Sequence, residues 1–267
     1  MTDQRIVLIT GGNTGIGYEA VKAFLQSDRP YHILMGSRSI DKARAAIEKV
    51  KSEVPGTTNT VDVVQLDIAS DQSIQKAFDY VKASFNRVDA LVNNAGGSFD
   101  WEYKQGGITL RESWNKAFDI NVSGTHIMTH VFMPLLLESS DPRLLFVTSG
   151  LSSLQQTSEK FYPNPNPPKA GWPKSFDFDT MAYRSSKTAL NMMMVNWAWR
   201  LTEDGVKTWC VSPGFLATGL GNEPELLKSR GAGHPSVGGV FIKDVVEGLK
   251  DEDVGKVVHS SGRVQPF

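Results

Sequence analysis

The stretch MAYRSSKTAL, residues 181–190, sets Tyr183 and Lys187 four positions apart in a segment that reads as helix. A phenol and an ammonium both move protons in enzymes, and residues at i and i+4 share a helix face. The pair therefore has the composition of an acid–base site, although the same spacing joins ordinary neighbours on any helix. What separates the two readings is whether other reactive or binding residues gather at the same place.

Such residues stand where short apolar runs end. The run RIVLI leads into TGGNTGIG, with Gly11, Gly15 and Gly17 between a strand and a helix. Glycine suits a backbone that must turn sharply and lie against a pyrophosphate, whose charge then meets exposed amides at the helix start. The run YHILMG ends in Ser37 and Arg38, where an acidic residue would bind an adenosine ribose and repel a 2′-phosphate. A guanidinium there can grip that phosphate bidentately and stack on adenine, which favours NADP(H) over NAD(H). Asp67, after VVQL, is placed to accept from the adenine amine, or alternatively to serve as a turn residue. The run VDALV ends in NNAG, residues 93–96, whose small residues allow a cofactor close approach; LLFVT ends at Ser149.

These runs alternate with segments of helical period as far as about residue 215, the pattern of βα units feeding a parallel sheet. Six strands are expected at RIVLIT, YHILMG, VDVVQLD, VDALVN, LLFVTS and VKTWCVS, and GKVVHSS reads as a seventh. Apolar runs without alternation suit strands buried on both faces. The expected architecture is one α/β domain over residues 1–267, a doubly wound parallel sheet of about seven strands with helices on both faces. Ligands of such sheets bind beyond the carboxyl ends of the strands. One long helical segment is expected through Trp114, Phe118, Ile127 and Phe132, and Ser70 or Asp71 caps the helix carrying Ile74, Phe78 and Val81. Two segments break the pattern. One is 151–180, with Pro163, Pro165, Pro167, Pro168 and Pro173 among Phe161, Tyr162, Trp172, Phe176 and Phe178; the other is the glycine-rich 215–239. Each is read as a binding loop or a surface excursion.

With 28 basic and 29 acidic side chains the formal net charge is −1, which points to neither nucleic acid nor an acidic membrane as partner. The lone Cys210, inside an apolar run, reads as a buried inert thiol, and a disulfide-free chain suits a reducing, cytoplasmic setting. The apolar run near the N-terminus is too short for a secretory signal, and no stretch has the length of a membrane span. His32, His126, His130, His234 and His259 form no ligand pattern, so no metal is expected.

Taken in order, TGGNTGIG, Asp67, NNAG, Asn121 in NVSG, Ser149, YRSSK and PGFLAT (213–218) resemble the short-chain dehydrogenase/reductase family across most of the chain. The resemblance implies a Rossmann fold and a carbonyl–alcohol oxidoreductase on a small molecule, with Ser149, Tyr183, Lys187 and Asn121 as catalytic residues. Tyr183 would hand its proton to the carbonyl oxygen, Lys187 would lower the phenol's pKa and hold the nicotinamide ribose, Ser149 would bind the substrate oxygen, and Asn121 would bind a water linking Lys187 to solvent. Gly11, Asn13, Gly15, Ile16, Gly17 and Arg38 would hold one half of the cofactor with Asp67 and Ile68. Asn94, Ala95, Gly96, Pro213, Gly214 and Thr218 would hold the other with Tyr183 and Lys187. The sequon NVS, inside a helix, is then incidental.

Ser149 and Tyr183 stand 34 positions apart, farther than is common in that family. Monomeric carbonyl reductases of the family carry a similar insertion, so a monomer or homodimer is expected ahead of a tetramer. Segment 151–180, the aromatics Phe99, Trp101 and Tyr103, and Phe215, Leu216 and Leu220 would wall a site for a bulky or aromatic substrate. An isomerase, dehydratase or cyclase on the same fold, or a non-catalytic cofactor sensor, stays open as an alternative, although sensors typically lose the tyrosine or the lysine.

Overall fold

The computed structural model describes residues 4–160, 166–174, 180–222 and 224–267. Of the segment 151–180, Phe161, Tyr162, Pro163, Pro165, Phe176 and Phe178 lie outside the described residues.

The expected runs form β1 (Arg5–Ile9), β2 (Tyr31–Ser37), β3 (Thr60–Gln65), β4 (Ala90–Asn93), β5 (Arg143–Val147), β6 (Lys207–Ser212) and β7 (Val257–His259). They lie in the order β3-β2-β1-β4-β5-β6-β7, all parallel. A further short strand, β8 (Val264–Gln265), pairs antiparallel with β7. Two residues carry no periodicity, so β8 was not legible in the sequence.

Helices α1 (Gly15–Leu25), α2 (Ile40–Glu53) and α3 (Asp71–Phe85) follow the first three strands. Then come α4 (Asp100–Lys104), α5 (Leu110–Phe118), α6 (Thr125–Leu137), α7 (Leu154–Glu159), α8 (Met181–Arg200), α9 (Pro224–Ser229) and α10 (Ser236–Val246). Each strand feeds two cores, because successive side chains point to opposite faces. Val7 and Ile9 of β1 pack with Phe24, Ile47 and Ile242 under α1, α2 and α10. Ile6 and Leu8 pack with Ile74, Phe132 and Met194 under α3, α6 and α8. That division is the physical basis of the unalternated apolar runs.

Local chemistry sets the helix starts. Ser39 accepts from the Lys42 amide, and Ser70, rather than Asp71, accepts from the Ser73 amide at 3.3 Å. Thr109 and Glu112 form a reciprocal capping box on α5. The single long helix expected around residues 114–132 is instead α5 and α6 joined by a π-helical turn, Asp119–Gly124. Segment 215–239, expected to be irregular, contains α9 and the first residues of α10, and segment 151–180 contains α7.

Candidate active site

The chain leaves β1 for β2 and β3, then returns to place β4 on the other side of β1, so a crevice opens at the carboxyl ends of β1 and β4. The glycine turn fills its floor. Gly11 and Gly15 have φ of +64° and +55°, the left-handed region that favours glycine. Gly17 has another role: an added Cβ would strike the Gly11 carbonyl and come within 2.6 Å of Asn94 Nδ2. That amide donates to Thr10 O at 2.9 Å and Gly11 O at 3.2 Å. Thr10 Oγ1 accepts from the amides of Asn94 and Ala95 at 3.0 and 2.9 Å. NNAG therefore braces the turn as well as bordering the crevice.

Around this floor stand the other expected binding residues. Arg38 is exposed at the end of β2, while Ser37 is buried and bonded to the backbone of Ser39. Asp67, past the end of β3, is half-buried and accepts from the Ala69 amide at 3.1 Å. Ile68 is buried, and its carbonyl lies where a Cβ on Gly124 would stand. Asn13 is half-buried in the turn. Ile16, Pro213 and Leu216 converge on Gly238, each within 3.2 Å of the position of an added Cβ. Thr218 lies over Gly15 in the same way at 3.6 Å, and Gly214 has φ of +98° beside Ser260. Segment 213–218 is thereby closed down onto the glycine turn.

Ser149, Tyr183, Lys187 and Asn121 meet at the ends of β4 and β5. The Ser149 side chain lies close enough to the Tyr183 phenol to pull its pKa down. Lys187 Nζ donates to Val147 O at 2.9 Å and stands 5.9 Å from the centre of the Tyr183 ring. An added Cβ on Gly96 would come within 2.9 Å of Asn121 Oδ1 and 3.1 Å of Lys187 Nζ, so a glycine keeps this wall open to both groups. The π-turn brings Asn121 inward, where it is fully buried. Its Oδ1 accepts from Gly97 N at 2.9 Å, and its Nδ2 donates to Gly97 O at 2.8 Å and Ser186 Oγ at 2.9 Å. π-turns of this kind cluster at functional sites.

In the folded chain burial is the largest influence on both Tyr183 and Lys187. Burial pushes the phenol up; the Ser149 side chain pulls it down and the Asp100 charge adds to the rise, leaving it at about 12. Burial brings the Lys187 ammonium down from 10.5 to about 8. Low polarisability disfavours both charged forms, and among the described residues no carboxylate pairs with the lysine to offset that cost. Both shifts favour the neutral forms. Cys210, on β6 near Lys187, is fully buried, and its thiol is pushed up by that burial.

Sequence reasoning missed Asp100, Ser186, Ser152, Asn191 and Gln265. Asp100 accepts from the Ala182 and Tyr183 amides at 2.8 and 3.1 Å. Asn191 Nδ2 donates to Ser152 Oγ at 2.9 Å and its Oδ1 accepts from Thr148 Oγ1 at 2.7 Å, while Gln265 Nε2 donates to Ser149 O at 3.1 Å. These pairs join positions far apart in the chain, and apart from Asn191 nothing local announces them. Asn191, two turns beyond Tyr183 on α8, was the one with a discernible signal: an amide amid apolar helix positions.

Of the aromatics expected at the mouth, Phe99 is half-buried and Tyr103 and Phe215 are more exposed. Leu216 is buried, and Trp172 projects into solvent at 87% exposure. Among the described residues no group of three or more His, Cys, Asp or Glu side chains could hold a metal, and no helix is long and apolar enough to cross a membrane. A parallel sheet with a glycine turn at its switch point, and proton-transfer groups beside it, defines an α/β protein of the dinucleotide-binding class.

A family model described as short chain dehydrogenase matches residues 5–163. The chain is 46% identical over 274 residues to the short-chain dehydrogenase/reductase tropE of Talaromyces stipitatus, covering 100% of this chain and 99% of that protein. It is also 46% identical over 255 residues to the short-chain dehydrogenase/reductase eupG of a Phoma species, covering 92% and 91%. The NADPH-bound carbonyl reductase from chicken fatty liver has the same fold, with a TM-score of 0.76 over 99% of each chain at 21% identity. The chain belongs to the short-chain dehydrogenase/reductase family. It is an oxidoreductase that uses a nicotinamide cofactor on a small-molecule substrate.

Proposed function

We propose that the protein is an NADP(H)-dependent carbonyl reductase working through Ser149, Tyr183, Lys187 and Asn121 on a bulky or aromatic ketone or aldehyde. The observation that carries this reading is the meeting of Tyr183, Ser149 and Lys187 beside the glycine-walled crevice. The crevice fits a dinucleotide: left-handed glycines at Gly11 and Gly15, a wall at Gly96 that a side chain would fill, and Arg38 exposed where the adenosine ribose would lie.

A reduced nicotinamide supplies hydride to the carbonyl carbon. Ser149 and Tyr183 then hold the substrate oxygen between two hydroxyl donors, preorganised for the negative charge that builds on it. Tyr183, protonated at neutral pH, transfers its proton to that oxygen and completes the alcohol. Lys187 and Asn121, which both approach Gly96, would return a proton to the tyrosine. In the oxidative direction the phenol must first lose its proton, a step that burial opposes.

Arg38 supports NADP(H) over NAD(H), because no carboxylate stands at position 37 or 38 to exclude a 2′-phosphate. We further place the enzyme in the cytoplasm, as a monomer or homodimer, in secondary metabolism; tropE and eupG are its fungal relatives. The one catalytic unit would span 1–267.

The test is NADPH oxidation by the purified protein with a panel of aromatic and aliphatic ketones, aldehydes and diketones, beside Tyr183→Phe and Arg38→Asp. Turnover lost in Tyr183→Phe with NADPH binding retained is the expected result, and unchanged turnover removes Tyr183 from the mechanism. Arg38→Asp should weaken NADPH binding roughly tenfold to a hundredfold, the worth of a charged hydrogen-bond pair, and leave NADH unaffected or improved. Unchanged NADPH affinity would remove the 2′-phosphate assignment.

A further inference from the structure

Tyr183 lies in the first turn of α8, and the amides of a helix's first turn have no partner within the helix. Thr180, at the cap position, makes no side-chain bond to them. A carboxylate from another element does so instead: Asp100, 82 positions earlier in the chain, accepts from Ala182 N at 2.8 Å and Tyr183 N at 3.1 Å. It is only 8% exposed, and a carboxylate suits the positive end of a helix.

Asp100 is itself held. It opens α4 three residues after Gly97, and Ser98 Oγ lies 3.4 Å from its Oδ2. Gly97 is gripped through both N and O by the side chain of Asn121. Asn121 also donates to Ser186 Oγ, and Ser186 Oγ donates to Tyr183 O at 2.7 Å. The path from Asn121 through Gly97 and Asp100 to Tyr183, and back through Ser186, closes on itself. Both backbone groups of the tyrosine are thereby referred to the residue that lines the site at the π-turn.

We propose that Asp100 is the positioning residue of Tyr183, capping α8 from α4 and completing a hydrogen-bonded ring that holds the tyrosine in register with Asn121. The ring explains how the 34 positions between Ser149 and Tyr183 are accommodated. A long connection is a weak constraint on where the next helix starts, so the start is fixed from the other side of the crevice. The Asp100 charge also contributes to the upward push on the phenol, after burial. This inference rests on the reductase reading.

The experiment compares the full chain with Asp100→Ala and Asp100→Asn by amide hydrogen exchange at Ala182 and Tyr183, NADPH affinity by fluorescence, and kcat with NADPH and 4-nitrobenzaldehyde. In Asp100→Ala both amides should exchange roughly tenfold faster or more, as expected for loss of a charged cap. Turnover should fall by about the same factor, with NADPH affinity held within about twofold, because the ring touches the tyrosine and not the glycine turn. Asp100→Asn keeps one acceptor oxygen, so protection should survive at one of the two amides and kcat should lie between. That graded result decides the matter if Asp100→Ala does not fold. Unchanged exchange at both amides would overturn the proposal. So would faster exchange with unaltered kcat, or a parallel loss of NADPH affinity and of exchange protection throughout the chain. A wild type that binds NADPH and reduces no carbonyl of the wider panel would count against the reductase reading instead, while the exchange comparison would still decide whether Asp100 is the cap.

Discussion

Lys187 gains one hydrogen bond, to the Val147 carbonyl, in exchange for its hydration. With its pKa lowered from 10.5 to about 8, the unfolded chain binds more protons at this site than the folded one between those values. Stability attributable to the lysine therefore rises with pH through that window, and the full penalty is present below about 8. Lys187→Met removes the titrating group. Relative to wild type, the variant should look best at pH 7 and lose that advantage as pH rises from 8 to 10.5, read from melting temperatures at matched pH. A difference that does not change with pH would mean that the lysine is solvated. The Tyr183 and Lys187 pair was legible from spacing and from the motifs around it. Its electrostatics were not, since the direction of each shift follows from how much water the folded chain excludes.

At the scale of elements, the glycine turn shows how one residue type serves several purposes. Gly11 and Gly15 supply backbone conformations, whereas Gly17 allows α1 to approach the Gly11 carbonyl and Asn94. Gly17→Ala should lower stability by about 1–3 kcal/mol, because backbone has to move to relieve the overlap. It should weaken NADPH binding as the turn shifts. Gly219→Ala, whose Cβ would meet nothing within 4 Å, is the control and should change neither. Urea midpoints and fluorescence titrations check both. The strands were read from apolar runs because a strand buried on two faces has few alternatives. The helix division at Asp119–Gly124 was not read, since a π-turn keeps helical spacing on both sides and differs by one residue in register.

Over the whole molecule, the amino ends of the strands carry a network remote from the crevice. Arg143, 4% exposed at the start of β5, pairs with Asp141 at 3.1 Å and Asp251 at 2.6 Å and donates to Val245 O, tying β5 to the end of α10. Burial pushes the Asp141 carboxyl up, but Arg143, Lys207 and Arg5 together bring it down to about 2. That contribution to stability is present above the usual 3.8 and is lost as pH falls toward 2. Arg143→Met should cost about 2–3 kcal/mol, moderated because both carboxylates are partly solvated, and leave NADPH affinity intact. The deficit should shrink between pH 3.8 and 2, as followed by urea midpoints.

By itself the sequence determined the alternation of strands and helices and the glycine turn, because each is written in local spacing, and its resemblance to the family singled out Ser149, Tyr183, Lys187 and Asn121 as the set to seek. Only the tertiary structure decided that Asp100 caps α8, that Asn191 and Gln265 hold the Ser149 turn, and that burial raises the Tyr183 pKa. Those outcomes depend on which distant backbone amides come within hydrogen-bond reach and on how much water is excluded around them. Both are properties of the packed chain rather than of any stretch of it.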